Sequence, residues 1–205
     1  ENFVLEIQSI MIKSKIKYKT MNRFKIFSFL LIATATVSNA QDIEQAKKVI
    51  DAEQYEKAKT ILKNLLQAKP GNGKATFYLG NIYLKQNLED SAKIYFQKGL
   101  SGTESAKWNY IGLGQIDLDK ANPTAAQANF DMATKDIKKK DIEEYINIAK
   151  AYMNSDKPDY KTALVYLNKA KAVNPTDANL QMAFGDAYYG DKNQNESYTS
   201  YRNAF

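Results

Sequence analysis

Small residues recur on an apolar background with a period of about 34 residues, which is the spacing of a helical repeat. The first series has steps of 34, 34, 35 and 36 residues and comprises Ala46, Gly80, Gly114, Ala149 and Gly185. Two further series keep step with it: Ala58, Ala92, Ala126, Ala163 and Ser197, and Leu62, Phe96, Phe130, Leu167 and Tyr201. The steps longer than 34 residues contain inserted residues, near residues 138–140 and in residues 155–159. We interpret both places as turns, because turns tolerate insertions. The period predicts a stack of similar units.

Within each period the apolar residues follow helical spacing. Two antiparallel helices approach each other closely only where the side chains between them are small. We therefore expect the small residues of the first series to lie on a first helix and to face the alanines of the second series on a second helix. The aromatic residues of the third series would then fill the space towards the next unit.

Two local patterns bear on the helix boundaries and on the register. Asp42 with Gln45, and Asp141 with Glu144, have the spacing of a capping box and predict helix starts at those points. Gly112 repeats the apolar-glycine pattern two residues before Gly114 and offers a second register. The spacing to the aromatic residue of the same unit favours Gly114.

The second period is the most regular and carries a family resemblance. Residues 76–100 read Thr-Phe-Tyr-Leu-Gly-Asn-Ile-Tyr-Leu-Lys-Gln-Asn-Leu-Glu-Asp-Ser-Ala-Lys-Ile-Tyr-Phe-Gln-Lys-Gly-Leu. This resembles the tetratricopeptide repeat, whose consensus has an aromatic residue, Leu-Gly and Tyr, and later Ala and a second aromatic residue. Two departures are Gln45-Ala46 in place of Leu-Gly, and Asp117 in place of the Tyr.

The resemblance implies an all-α fold, a right-handed superhelical α-solenoid of about five helix-turn-helix units with the last one incomplete. It covers residues 41–205, with units at roughly 41–72, 73–106, 107–140, 141–177 and 178–205. An incomplete last unit leads us to expect that the natural protein continues beyond Phe205.

The start of the chain has the three parts of a secretory signal peptide. Residues 21–25 are short and basic, residues 26–37 are apolar, and residues 38–40 are small. We interpret residues 21–40 as a cleaved signal and residues 1–20 as a non-native upstream extension, with translation starting at Met21 or at Met11. An exported bacterial protein of the periplasm or outer membrane of a Gram-negative organism is the expectation, with no stable membrane insertion after cleavage.

The composition excludes several kinds of chemistry. The sequence has no His and no Cys, so His- or Cys-dependent triads, thiol redox centres and the usual zinc ligands are absent. Residues 1–40 hold six Lys or Arg and two Glu, whereas the remaining residues hold 23 basic and 21 acidic side chains. A nearly neutral body argues against nucleic-acid binding. We predict a protein that is not an enzyme and needs no cofactor.

The resemblance also implies a binding surface, because the first helices of such repeats line a concave face. The outward residues of these helices combine apolar anchors with amides and charges, which suits a peptide. The candidates are Lys74, Phe77, Asn81, Leu84, Trp108, Ile111, Gln115, Leu118, Lys150, Asp186 and Tyr189, with Ile146 and Met182 at similar positions. Trp108 is favoured because it is the only Trp and begins a helix.

These features support two functional hypotheses. The first is a protein-protein interaction scaffold of the cell envelope that binds a protein or peptide in the groove. The second is the recruiting arm of a longer enzyme or cell-wall-binding protein whose active domain lies beyond Phe205.

Overall fold

The computed structural model describes residues 42–102, 105–135 and 141–205. The predicted upstream extension, the predicted signal peptide and the predicted turn at residues 138–140 lie outside the described residues. The chain divides into two units, Glu1–Gln45 and Ala46–Phe205. In the first unit the described residues, 42–45, are helical, and everything that follows concerns the second unit.

All regular elements in the described residues are α-helices. Helix α1 ends at residue 51. The later helices are α2 (Tyr55–Ala68), α3 (Gly73–Lys85), α4 (Glu89–Leu100), α5 (Lys107–Asp119), α6 (Pro123–Thr134), α7 (Glu143–Asn154), α8 (Tyr160–Lys171), α9 (Ala178–Gly190) and α10 (Gln194–Asn203). This element order confirms the predicted all-α helical-repeat fold.

The helices pack in successive pairs. Helices α3 and α4, α5 and α6, α7 and α8, and α9 and α10 form the pairs. The first helices α3, α5, α7 and α9 also contact one another in sequence, whereas the backbones of the second helices α2, α4, α6, α8 and α10 lie farther apart in the described part of the chain. A side-chain hydrogen bond from Gln127 Nε2 to the Tyr166 hydroxyl over 3.1 Å joins α6 and α8. The pairs therefore fan out, with the row of first helices on the closed side.

Glycines and aromatic rings set the distance between helices at each step. A Cβ at Gly80 on α3 would overlap the ring of Phe96 on α4, and a Cβ at Gly112 on α5 would overlap the same ring. The Phe96 side chain is fully buried. One ring thus joins its own pair to the next, which confirms that Phe96 fills the space towards the next unit, whereas the side chain nearest to Gly80 is this ring and not the predicted alanine.

The same contact recurs along the array and explains the two possible registers of the third unit. Gly114 faces the ring of Phe130 within its own pair, and Gly185 faces Tyr201 in the same way. Gly112 and Gly114 are both needed, because one admits the ring of the preceding pair and the other admits the ring of its own pair.

A buried amide, which sequence analysis did not identify, ties α5 to the preceding pair. Asn109 is fully buried, and its Nδ2 donates to the Gly73 carbonyl oxygen over 3.0 Å. The Thr76 hydroxyl donates to Asn109 Oδ1, also over 3.0 Å. A Cβ at Gly99 would overlap both side chains, so this glycine gives the network its space. A satisfied buried amide fixes one relative position of the helices.

The turns inside three of the pairs share one geometry, and the turn between α7 and α8 departs from it. The N–H of Leu88 donates to the Tyr83 carbonyl oxygen, and Asn122 and Asn193 make the same five-residue closure to Asp117 and Tyr188. Between α7 and α8 the N–H of Asp159 donates to the carbonyl oxygen of Tyr152, seven residues earlier. The two residues inserted between α7 and α8 are therefore looped out, which confirms the predicted turn at residues 155–159.

Side chains cap four of the described helices, at positions that the sequence analysis did not predict. Asn72, Asn122, Asp159 and Asp177 each accept a hydrogen bond from the backbone N–H three residues later. The capping box predicted from Asp141 and Glu144 is wrong. Helix α7 begins with Ile142 at its N-cap and has no side-chain cap. Lys107 instead draws both carboxylates away, with its Nζ 2.7 Å from Glu144 Oε1 and 3.7 Å from Asp141 Oδ2.

A search of the described helices for a membrane-spanning segment finds none that combines the necessary length and apolar character.

We predict that Gly112→Ala lowers the free energy of unfolding by about 1–2 kcal/mol. Overpacking against Phe96 costs about 1–3 kcal/mol, and the better helix propensity of Ala returns up to about 1 kcal/mol. Urea denaturation followed by circular dichroism measures the change. The matched control is Gln97→Ala on the exposed side of α4, which we expect to leave stability unchanged or slightly higher. A loss no greater than that of the control would contradict the role of the Phe96 ring.

Candidate partner-binding groove

The row of first helices borders an open groove of about 1250 Å³. Its walls come from α3, α5, α7 and α9, and its ends from the turns that follow α1 and α7 and from Tyr160 at the start of α8. The groove forms because the first helices pack against one another in a row, and the second helices lie on the other side of that row. A second hollow, between α8, α9 and α10, is much smaller at about 450 Å³.

Most of the predicted site residues line this groove. They are Phe77, Asn81, Leu84, Ile111, Gln115, Lys150, Asp186 and Tyr189. Lys74, Trp108 and Leu118 lie outside its lining, as do Ile146 and Met182. The side chains of Asn81, Leu84 and Gln115 are half-buried, and those of Lys150, Asp186 and Tyr189 are exposed.

The structure corrects the expected exposure of the apolar anchors. Trp108 is 2% exposed and Ile111 is 1% exposed, and Phe77 and Ile146 are also core residues. The Trp108 ring packs edge-on against Phe77, with 5.3 Å between ring centroids, and also contacts Tyr78. The reason is that the inner side of each first helix packs against its neighbours in the row, which leaves only a narrow stripe open.

Lys74 lies over the face of the tryptophan ring. Its Nζ lies 4.2 Å from the centroid of the Trp108 ring and 2.7 Å from Glu143 Oε2. The side chain therefore runs from α3 across the start of α5 to the start of α7. Its ammonium group is engaged within the protein, at a position outside the groove lining.

Sequence analysis missed several groove residues. Asn147 lies three residues before Lys150 on the same helical face, so helical spacing could have found it. Tyr78 neighbours a predicted residue on α3. Asp156 and Tyr160 belong to the looped-out turn and the start of α8, where no helical period applies.

Asp119 and Asp156 meet at one end of the groove. The backbone N–H of Asp156 donates to Asp119 Oδ1 over 3.0 Å, which connects the end of α5 to the inserted turn. Burial raises the pKa of Asp119, and the negative charges of Asp156 and Glu89 raise it further, against the lowering effect of that hydrogen bond. Asp117 points elsewhere and accepts from Asn129 Nδ2 over 2.7 Å.

Asp186 lies on the wall that α9 contributes. The Tyr201 hydroxyl donates to its Oδ1 over 2.8 Å. Burial and this hydrogen bond raise the pKa of Tyr201 to about 12. Tyr201 therefore positions the carboxylate while its ring fills the space beside Gly185.

Comparison with known sequences and structures finds similarity to one kind of helical repeat. The tetratricopeptide repeat family model matches residues 49–102, from the end of α1 through α4. The structure is similar to that of TTC0263, a thermophilic TPR protein of Thermus thermophilus, with 15% identity, 81% of this chain and 89% of that chain covered, and a TM-score of 0.57. It is also similar to a tetratricopeptide repeat protein from Parabacteroides merdae, with 18% identity, 80% and 62% coverage, and a TM-score of 0.55.

At these identities the likeness concerns the fold alone, and it supports the all-α helical-repeat fold of this chain. Among curated proteins, anaphase-promoting complex subunit 3 of Schizosaccharomyces pombe is 26% identical over 136 residues, or 66% of this chain. The chain spans only 20% of the length of that relative. Tetratricopeptide repeats generally mediate protein-protein interactions through extended surfaces of this kind.

We predict that Trp108, the only tryptophan of the chain, has a blue-shifted emission maximum and is quenched weakly by acrylamide and by iodide, because its ring is buried against Phe77. Steady-state fluorescence of the folded chain and of the same chain in urea gives both limits. An emission maximum equal to that of the unfolded chain would mean that Trp108 faces the groove after all.

Proposed function

We propose that this protein is a non-catalytic interaction scaffold that holds an extended or helical segment of another protein in the groove. The observation that carries the proposal is the row of four first helices, which together border one open groove of about 1250 Å³. A volume of this size exceeds what a typical small ligand fills. Its length over several repeats suits a linear segment.

The groove offers both kinds of contact that peptide recognition needs. The amides of Asn81, Gln115 and Asn147 can bond to a peptide backbone, and Leu84 and the ring of Tyr189 supply apolar area. Tyr189 is 71% exposed, so its ring is available for contact with a partner. These residues replace Phe77, Trp108 and Ile111 as the proposed anchors.

We further propose that the scaffold acts in the cell envelope of a Gram-negative bacterium, in the periplasm or at the outer membrane. The support is the signal-like sequence of residues 21–40, which lies outside the described residues.

The binding role is tested by selecting peptides from a random-sequence library on the full chain and measuring their affinity for two variants. Gln115→Ala/Tyr189→Ala removes exposed contacts inside the groove. We expect it to weaken the selected peptides about tenfold or more, the effect of losing an anchor residue. The measurement is fluorescence anisotropy.

The matched control is Ile94→Ala/Val165→Ala on the second helices. These side chains are 62% and 55% exposed, and neither lines the groove. The control should bind as the parent does. Peptides that lose affinity for the control and not for the groove variant would place the binding surface on the second helices and overturn the proposal.

A further inference from the structure

The groove carries an acidic charge that the rest of the protein does not share. Its lining contains two ammonium groups, those of Lys85 and Lys150. It contains six carboxylates, which belong to Asp51, Glu53, Glu89, Asp119, Asp156 and Asp186. The whole chain, by contrast, has a formal net charge of +6. The acidity is therefore a property of this surface and does not follow from the composition.

The position of four of these carboxylates is unfavourable for the helices, whereas Glu89 begins α4. Asp51 and Asp119 are the last residues of α1 and α5, Asp156 follows the end of α7, and Asp186 lies in the last two turns of α9. The C-terminal end of a helix is the negative end of its dipole, where cations stabilise and carboxylates do not. Residues that depart from the local rules of helix stability are found most often at functional sites.

Most of the groove carboxylates have no counter-ion among the described residues. Within that part of the chain, Glu89 is the only one of the six in an ion pair, with Lys120. The N-terminal ends of the first helices show the contrast, because Lys74 and Lys107 neutralise Glu143 and Glu144 there. The protein thus compensates its own carboxylates at one end of the row and leaves those of the groove open to a partner.

Two further features of the lining match a cationic ligand with hydrogen-bond donors. Asn81 Oδ1 is buried in the groove wall and has no donor among the described residues. A buried acceptor without a partner is destabilising, and a ligand that donates to it would remove that cost. The negative charges of Asp156 and Glu89 also repel that of Asp119, and a positive charge placed among them would remove this repulsion.

Aromatic rings accompany the carboxylates. Tyr55, Tyr78, Tyr160 and Tyr189 all line the groove. Aromatic faces attract ammonium and guanidinium groups, and the alkyl stems of Lys and Arg pack along such rings while their charged ends stay near carboxylates.

We propose that the segment held in this groove is rich in lysine or arginine, with its cationic side chains directed to the carboxylates at the C-terminal ends of the first helices. This inference rests on the proposed scaffold function. The occupant is a protein segment and not a metal ion, because the described residues contain no group of His, Cys, Asp or Glu arranged to hold a metal. A groove of about 1250 Å³ also requires an extended ligand.

The test uses three fluorescent synthetic peptides of equal length, in which serine and tyrosine alternate with lysine, with glutamine or with glutamate. We expect the lysine peptide to bind the full chain, the glutamine peptide to bind more weakly and the glutamate peptide not to bind. Binding of the lysine peptide should weaken as the salt concentration rises, because exposed charges are screened.

Two charge variants locate the binding. Asp51→Asn/Asp156→Asn removes two groove carboxylates, and Asp131→Asn/Glu196→Gln removes two exposed carboxylates of α6 and α10 that lie outside this groove. The net charge is the same in both. We expect the groove variant to weaken the lysine peptide about 3- to 20-fold, on the basis of about 0.2–1 kcal/mol or somewhat more for each exposed pair, and the control to bind as the parent does.

The outcomes separate this inference from the scaffold function. Equal weakening by the two charge variants would mean that net charge alone attracts the peptide, and would overturn the inference. If the glutamine or glutamate peptide bound best and lost affinity in Gln115→Ala/Tyr189→Ala, the scaffold function would stand and the cationic preference would fall. If free spermine bound as tightly as the lysine peptide, the ligand would be a polyamine and not a protein segment. Failure of all three peptides and of the library selection would remove both proposals.

Discussion

The contact of an aromatic ring with two glycines is the constraint on which the array depends. Phe96 lies between Gly80 of its own pair and Gly112 of the next pair, and any side chain at either glycine would occupy the volume of the ring. Because cores are packed at nearly crystalline density, this contact fixes the separation of three helices at once. Phe130 and Tyr201 repeat the intrapair half of the contact. The row of first helices, and with it the groove, follows from this spacing.

The period of the sequence was sufficient to predict the fold class, because each unit repeats the same small and aromatic residues. The period could not assign a separate role to Gly112. It describes one unit at a time, and the ring that needs the space beside Gly112 is Phe96 of the preceding pair. Asn109 was missed for the same reason, because its partners Gly73 and Thr76 belong to the preceding pair. The error at Asp141 is different in kind. A capping box is a local motif, and the long-range ion pairs of Lys107 outcompete it.

The groove was predicted in position and only partly in composition. Helical spacing identified Asn81, Gln115, Lys150, Asp186 and Tyr189, which the structure places in the lining. It also selected Phe77 and Ile111, which line the groove but are buried, and Trp108, which lies outside the lining, because a single-helix projection cannot distinguish a face open to solvent from one pressed against the next helix in the row. Asp156 was out of reach of any periodic argument. A two-residue insertion carries it, and the hydrogen bond to Asp119 that brings it to the groove joins residues 37 positions apart in sequence.

The fanned packing has a mechanical consequence. Successive pairs touch through their first helices and through the ring contacts, while the backbones of the second helices of the described pairs lie farther apart, with a side-chain bridge from Gln127 to Tyr166 between α6 and α8. We expect each step to bend most easily about the groove side, and small rotations at successive steps would add along the chain. A ligand that drew the first helices together or wedged them apart would therefore change the spacing of the second helices by more than it moved the groove wall. Binding on the inner surface would in this way displace the outer surface.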